Sequence, residues 1–294
     1  MTGLPERCCK DKYMDTTQLY SEKEIYRPFW ERNSAFLEVE TGCSWHRCAF
    51  CDFARDSFSL FPIDEIQKKI ELLAPYVREK KSIFLLGENP LVMSTQKLLL
   101  IFQSIRKHMP WMEQINMYAR FDDVLKKAPK EIMLLRKNGL HSLYLGLESG
   151  NDEVLKLMSK GETASQAVEA CSILRAAGVE IGLSAITGLG GKEWSFSHAK
   201  DTAEILNSIR PGKIWMMGLL VWPDTPLATL VDQGKFHPLT QKEKAEEEIL
   251  LLSGLEHFDC IFVDTTVMGK YTLIGQLATE KERMIQWLHE LECG

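Results

Sequence analysis

The chain has 294 residues, 45% hydrophobic and 26% charged, proportions of a folded globular protein that exclude disorder over most of its length. Its 35 Lys and Arg against 41 Asp and Glu give a net charge of -6, the wrong sign for a general phosphate-backbone binder. No apolar run approaches the ~20 residues that cross a bilayer, and the N-terminus lacks the apolar core of a signal peptide. The expectation is a cytoplasmic protein with neither nucleic acid nor membrane as partner, whose eight cysteines are ligands, core residues or redox groups rather than a disulfide framework.

Short apolar runs alternate with helical patterns along the chain, the signature of repeated βα units and a parallel sheet. Strands are expected at 36–40, 82–86, 115–119, 142–147, 180–186 and 214–220. After Pro62, the residues Ile63, Ile66, Ile70, Leu73 and Val77 fall at three- and four-residue steps, one stripe of an amphipathic helix. Lys137, Asn138 and Gly139 end a helix ahead of the fourth strand. The segment 163–177 opens with Thr163 and Gln166 in capping-box spacing and closes at Gly178, which can take the left-handed conformation that ends a helix. Further helices are expected at 241–253 and 281–291. No linker or low-complexity tract interrupts the pattern, so one core at 36–226 is expected, with an N-terminal extension at 1–35 and a C-terminal extension at 227–294 that caps it.

The segment directly after the first strand carries the strongest chemical signal: Thr41-Gly42-Cys43-Ser44-Trp45-His46-Arg47-Cys48-Ala49-Phe50-Cys51, three cysteines spaced C-x4-C-x2-C. Three thiolates so close in sequence can converge on one soft metal centre, and iron–sulfur cubanes are held by closely spaced cysteines of this kind. Three protein ligands leave one iron open for a small molecule to chelate. No second C-x2-C pair exists to close a zinc site.

At these residues the chain resembles the radical S-adenosylmethionine (SAM) superfamily, whose usual signature is C-x3-C-x2-C with an aromatic residue before the third cysteine. Phe50 stands in that place, and the longer spacing with a Gly-Cys-Ser start is similar to a subgroup of the same superfamily. Leu86-Gly87-Glu88-Asn89-Pro90 resembles the Gly-Gly-Glu element that contacts the methionine amino group, with one of its two glycines present. Gly146-Leu147-Glu148-Ser149-Gly150 is similar to a segment of the coproporphyrinogen-oxidase-like and methylthiotransferase branches. Residues 186–193, with Gly188, resemble the glycine-containing turn near the adenosine. All four motifs follow expected strands, where ligands of parallel α/β sheets and barrels bind.

The resemblance implies an α/β fold, a partial (β/α)6 barrel of TIM type, with a 4Fe-4S cluster on Cys43, Cys48 and Cys51 and SAM as cofactors. It implies SAM contacts from Glu88, Glu148, Ser184 and Gly188, with Phe50 flanking the adenine. Tyr118 and Arg120 follow the third strand, where an arginine grips a carboxylate of SAM or substrate, or else makes a surface salt bridge. The implied reaction is reductive cleavage of SAM to a 5'-deoxyadenosyl radical that abstracts hydrogen from a small-molecule or peptide substrate, the electron coming from a reductase such as flavodoxin or ferredoxin. A haem-handling chaperone of SAM-binding type and a simple electron carrier are the alternatives. Neither a cobalamin domain nor a tRNA-binding C-terminal barrel is expected. Among the remaining candidates, Cys171 and Cys260 read as core residues, while Cys8, Cys9 and Cys293 stay open between further ligation and free termini. Trp215, Met216 and Met217 alternate between sheet faces and favour core filling, and the polar run 264–271 suggests a substrate-side element.

Overall fold

The computed structural model describes residues 19–21, 25–52, 57–265 and 272–292. In chain order its elements are β1 (Ala35–Glu38), β2 (Glu40–Thr41), β3 (Ser59–Leu60), α1 (Ile63–Leu73), β4 (Ser82–Leu86), α2 (Thr95–His108), β5 (Gln114–Ala119), α3 (Phe121–Leu125), α4 (Pro129–Lys137), β6 (Leu140–Glu148), α5 (Asp152–Leu157), α6 (Ala164–Ala176), β7 (Glu180–Thr187), α7 (Gly191–Ile209), β8 (Lys213–Gly218), α8 (Pro226–Asp232), α9 (Gln241–Gly254), β9 (Ile261–Asp264), β10 (Leu273–Gln276) and α10 (Leu277–Glu292). One sheet runs in the order β1-β4-β5-β6-β7-β8-β9-β10, parallel up to β9, with β10 antiparallel at its edge. Since β1 and β10 do not pair, the barrel is partial.

The six expected strands are all present as the consecutive members β1 and β4 to β8. The sheet then continues into the segment expected to cap the barrel, which supplies β9, β10 and two long helices. The run expected at 36–40 divides at Val39: β1 stays in the sheet, whereas Glu40 and Thr41 turn away to pair with β3 in a separate two-stranded ribbon. That turn carries the cysteine segment out of the sheet plane. Cys8, Cys9, Cys293 and residues 266–271 lie outside the described residues.

Helices cover the outer face as the periodicity requires. In α1, Ile66, Ile70 and Leu73 are buried, and Lys69 joins them because its ammonium meets Glu38 at 2.7 Å, a buried pair in which each charge offsets the other's desolvation. Thr163 caps α6 by accepting from Gln166 N while Gln166 reciprocates to Thr163 N at 2.9 Å, and Gly178 follows at a φ of +73°. Cys171 and Cys260 are core residues, and burial pushes both thiols up to about 12.

The inner face is the part that shapes the site. Tyr118 and Tyr144 stand directly opposite each other on β5 and β6, and Gly182 on β7 leaves room for the Tyr144 ring, whose Cδ1 would lie 2.6 Å from a Cβ there. Phe84 lies edge-on to Tyr118 at 5.1 Å. The segment ahead of β1 fills the space inside: Trp30 stacks on Tyr144, and Glu31 is buried beneath, accepting from Tyr144, Asn116 and Ser34. Among the described residues no helix is long and apolar enough to cross a membrane.

The reciprocal cap of α6 has a measurable worth. Thr163→Ala removes the side-chain acceptor at an exposed position, and it should lower the unfolding free energy by about 1 kcal/mol in urea titration; an unchanged midpoint would show that the cap contributes nothing to stability.

Candidate active site at the strand ends

The strands β5 to β8 and the segments that follow β2 and β4 surround a cavity of about 270 Å³. Cys43, Cys48 and Cys51 line it, and so do Phe50, Glu88, Tyr118, Arg120, Glu148 and Ser184. Of the seven residues expected at the cofactor, Gly188 alone lies off this wall. Its backbone N–H donates to Glu247 Oε1 at 2.6 Å, and its φ of +85° makes it the turn between β7 and α7.

The cysteine segment is pinned at both ends of its loop. Trp45 donates its indole N–H to Ser159 O at 2.8 Å, and the ring rests where a Cβ on Gly161 would stand, 2.0 Å from Trp45 Cζ2. The Arg47 and Arg120 guanidinium groups lie 5.1 Å and 4.8 Å from the Trp45 ring centroid. Ala49 N donates to Met158 O at 2.8 Å, and Leu227 N donates to Ala49 O at 2.9 Å, so the loop is stitched to α5 and α8. Beneath it Ala49, Val154, Met158, Ile186, Leu189, Leu219, Leu227 and Phe236 form a separate apolar core, against which Phe50 packs.

Below the Gly87–Asn89 turn lies a buried polar junction. Asn89 N donates to Glu40 Oε1 at 2.5 Å; Asn89 Nδ2 donates to Ser44 Oγ at 2.9 Å and to Asp123 Oδ2 at 2.5 Å; Asn89 Oδ1 accepts from Arg120 N at 3.1 Å. Gly87 has a φ of +134° and no room for a side chain, since its Cβ would stand 2.0 Å from Glu40 Cγ. The single glycine of this element is thus the one that the packing demands. Burial pushes the Glu40 carboxyl up to about 8, with Glu88 and Asp123 adding to the effect against the Asn89 hydrogen bond, and among the described residues Glu40 Oε2 has no hydrogen-bond partner.

Glu148 takes a left-handed φ of +61° at the end of β6, where the register slips between Gly146 and Glu148. A non-glycine residue there is strained, and the surroundings hold it: Lys160 Nζ approaches Glu148 Oε1 at 3.4 Å and Ser184 Oγ approaches Oε2 at 3.4 Å. Gly146 makes the fold-back possible, because its Cβ would stand 2.0 Å from Glu148 Oε1. Burial opposes the charge on Lys160, but Glu148 and Glu162 hold its ammonium above the ordinary range. Burial likewise pushes the Cys48 thiol up, while Lys160 and Arg120 pull it back toward thiolate. Arg120 is neither a surface salt bridge nor an open grip: it is buried, with Nε on Asp122 at 3.0 Å and Nη2 on Lys160 O at 3.1 Å and Glu162 at 3.4 Å.

Several wall residues escaped the sequence reading. Lys160, with its buried partner Glu162 behind it, sits in an unremarkable polar turn marked only by Gly161. Arg27 and Trp30 come from the N-terminal extension, which carried no motif. Trp215 and Met217 line the cavity while Met216 fills the core behind them, so the expectation that core filling dominates holds for the middle residue alone.

Among the described residues no three His, Cys, Asp or Glu side chains converge as a single metal ion requires. A cubane differs, because it spreads three thiolates over three irons. The donor set fits it: three thiols on one cavity wall, cations beside Cys48, and carboxylates on the neighbouring strand ends.

Comparison with known proteins points the same way. Residues 37–206 match the family model described as the radical SAM superfamily. The chain is 26% identical over 228 residues to a tRNA-2-methylthio-N(6)-dimethylallyladenosine synthase of Chlorobium phaeobacteroides (strain BS1), covering 75% of this chain and 49% of that protein. It is 22% identical over 218 residues to the heme chaperone HemW of Bacillus subtilis (strain 168), covering 72% and 57%. The chain therefore spans about half of the length of the curated relatives it matches. The radical S-adenosylmethionine methyltransferase TsrM of Kitasatospora setae, solved with cobalamin and a 4Fe-4S cluster, matches with a TM-score of 0.55 at 15% identity over 68% of this chain and 39% of its own, a likeness of fold.

The Glu40 junction generates a pH dependence of stability. With its folded-state value near 8 against an ordinary 4.5, the folded protein keeps a proton that the unfolded chain has already released, so stability falls as pH rises across that interval. Thermal unfolding of the cluster-free protein should therefore decline from pH 5 to 8, and Glu40→Gln should flatten the decline. Parallel pH profiles for the two proteins would contradict the buried neutral acid.

Proposed function

Because the chain belongs to the radical SAM superfamily over residues 37–206, we propose that it is a radical SAM enzyme acting on a small-molecule or peptide substrate. In this reading Cys43, Cys48 and Cys51 hold a 4Fe-4S cluster, and SAM binds between that cluster, Glu88 and Glu148. The observation that carries it is the convergence of the three thiols, the two glutamates and Ser184 on one cavity at the strand ends. When bound, the reduced cluster and SAM supply one-electron cleavage to a 5'-deoxyadenosyl radical for hydrogen abstraction, with the electron drawn from a reductase of the flavodoxin or ferredoxin kind.

The chain's own residues bind, orient and exclude water. Glu88 offers a carboxylate to the methionine ammonium, and the bonds of neighbouring Asn89 to Glu40 and Ser44 tie the turn that carries it to the cysteine loop. Glu148 and Ser184 offer acceptors and a donor to ribose hydroxyls. Lys160 neutralises Glu148 on the protein side and stabilises the Cys48 thiolate. Phe50, between the thiols and the apolar core beneath the loop, presents a ring for the adenine. The apolar remainder of the wall keeps water from a reactive intermediate.

The relatives' names pull in two directions, one toward tRNA and one toward haem, and neither substrate follows for this chain. Nucleic acid is not excluded by the net charge of -6, since a relative named for tRNA modification shares this core.

Cys48→Ala tests the assignment. After anaerobic reconstitution the wild type should carry about four irons per chain and release 5'-deoxyadenosine from SAM in the presence of dithionite; the variant should lose both. Full iron content with undiminished SAM cleavage in the variant would overturn it.

A further inference from the structure

The cavity wall beyond the SAM side is built largely from rings, and two of them have their polar atoms engaged elsewhere. The Tyr144 hydroxyl donates to Glu31 Oε1 at 2.6 Å, and the Trp215 indole N–H donates to Thr265 Oγ1 at 2.9 Å. Trp30 lies nearly parallel to Tyr144, at 12° and 6.2 Å between centroids. Leu145, Leu183 and Met217 add aliphatic surface. A substrate therefore meets aromatic and apolar surface on this side.

Two donors interrupt that surface. Arg27 lines the cavity half-buried, and among the described residues its guanidinium has one contact, the Phe36 ring at 5.9 Å, with no carboxylate in ion-pair range. The other cations of the wall differ, since Lys160 faces Glu148 and Glu162, and Arg120 faces Asp122 and Glu162. Tyr118 lines the same cavity, and its hydroxyl makes no hydrogen bond among the described residues. Burial, with Glu88 and Glu31 nearby, pushes this phenol well above its ordinary value, and Arg27 is near enough to oppose the shift. The tyrosine hydroxyl thus stays protonated as a donor. Glu31 does not fill the role of counter-ion to Arg27, because Tyr144, Asn116 and Ser34 already donate to it.

We propose that Arg27 and Tyr118 form a carboxylate subsite, and that the substrate is a compact aromatic or apolar carboxylic acid whose body lies against Trp30, Tyr144 and Trp215. The assignment rests on the reading of this cavity as the substrate site. A guanidinium and a phenol together match a planar carboxylate with charge-assisted hydrogen bonds, and the ring faces supply the apolar contact. The N-terminal segment then has a function: it brings to the cavity a cation that, unlike Lys160 and Arg120, faces no carboxylate among the described residues.

A carboxylate also belongs to the methionine end of SAM, and the test separates the two sources. The probes are 2-naphthoate and its neutral counterpart 2-naphthamide, titrated calorimetrically into the full chain with its cluster reconstituted, with SAM titrated in parallel. Naphthoate should bind about tenfold more tightly than the amide, as one charge-assisted contact provides. Arg27→Gln should abolish that preference, Arg27→Lys should retain part of it, and Tyr118→Phe should reduce it, with SAM affinity unchanged in the Arg27 variants. Equal affinity of the two probes for the wild type, or no binding of naphthoate, overturns the proposal. Loss of SAM affinity in Arg27→Gln with the naphthoate preference intact assigns the subsite to SAM and overturns it as well. Failure of the wild type to bind SAM would instead count against the cofactor reading, while leaving the comparison of the two probes readable.

Discussion

Buried Asn89 ties the site together. Its backbone N–H donates to Glu40 and its side-chain amide bonds Ser44, Asp123 and the Arg120 backbone, and these partners belong to β2, the cysteine loop, α3 and the end of β5. In a low-dielectric interior such a junction is strong when complete, and costly when one member is lost. It fixes the height of the Glu88 turn relative to the loop that carries Cys43. The thiol positions and the carboxylate that faces them are therefore not set independently: a shift at one strand end is transmitted to the other through the backbone and side chain of one residue.

A second constraint acts from the opposite side. Trp45 is held by Ser159 O and by the space above Gly161, and the same short turn delivers Lys160 to Glu148. Glu148 occupies a backbone conformation that L-residues avoid, and Gly146 yields the volume its carboxylate needs. Strain of this kind persists only where surrounding contacts over-determine it, and here those contacts are the loop dock and the Lys160 ion pair. The cavity is thus rigid on its polar side. Its apolar side depends on the segment ahead of β1, whose Glu31 is anchored across the sheet to Asn116 and Tyr144.

The sequence displays the local parts of this design and conceals the long-range ones. Thr163, Gln166 and Gly178 announce α6 because capping and left-handed termination are decided within a few residues. The run 82–86 matches β4 residue for residue, since a strand buried on both faces is a continuous apolar run. The C-x4-C-x2-C spacing and the glutamates after β4 and β6 identify the site because each sits at a strand end by construction. Trp45 and Ser159 are 114 positions apart, and their contact leaves no periodic trace; Gly161 was its one visible sign. The division of the first strand at Val39 was equally hidden, since Glu40 continues the apolar alternation yet pairs with Leu60. Arg27 and Trp30 gave no signal at all, because a segment that fills a barrel has no strand or helix pattern to display.

The central claim is that the loop of Cys43, Cys48 and Cys51 holds a cluster with one iron open to SAM. Electron paramagnetic resonance of the anaerobically reconstituted and reduced protein, recorded with and without SAM, tests it most directly. The account predicts a reduced cubane signal whose shape shifts when SAM is added. A signal indifferent to SAM, or no cluster signal after reconstitution, would contradict it.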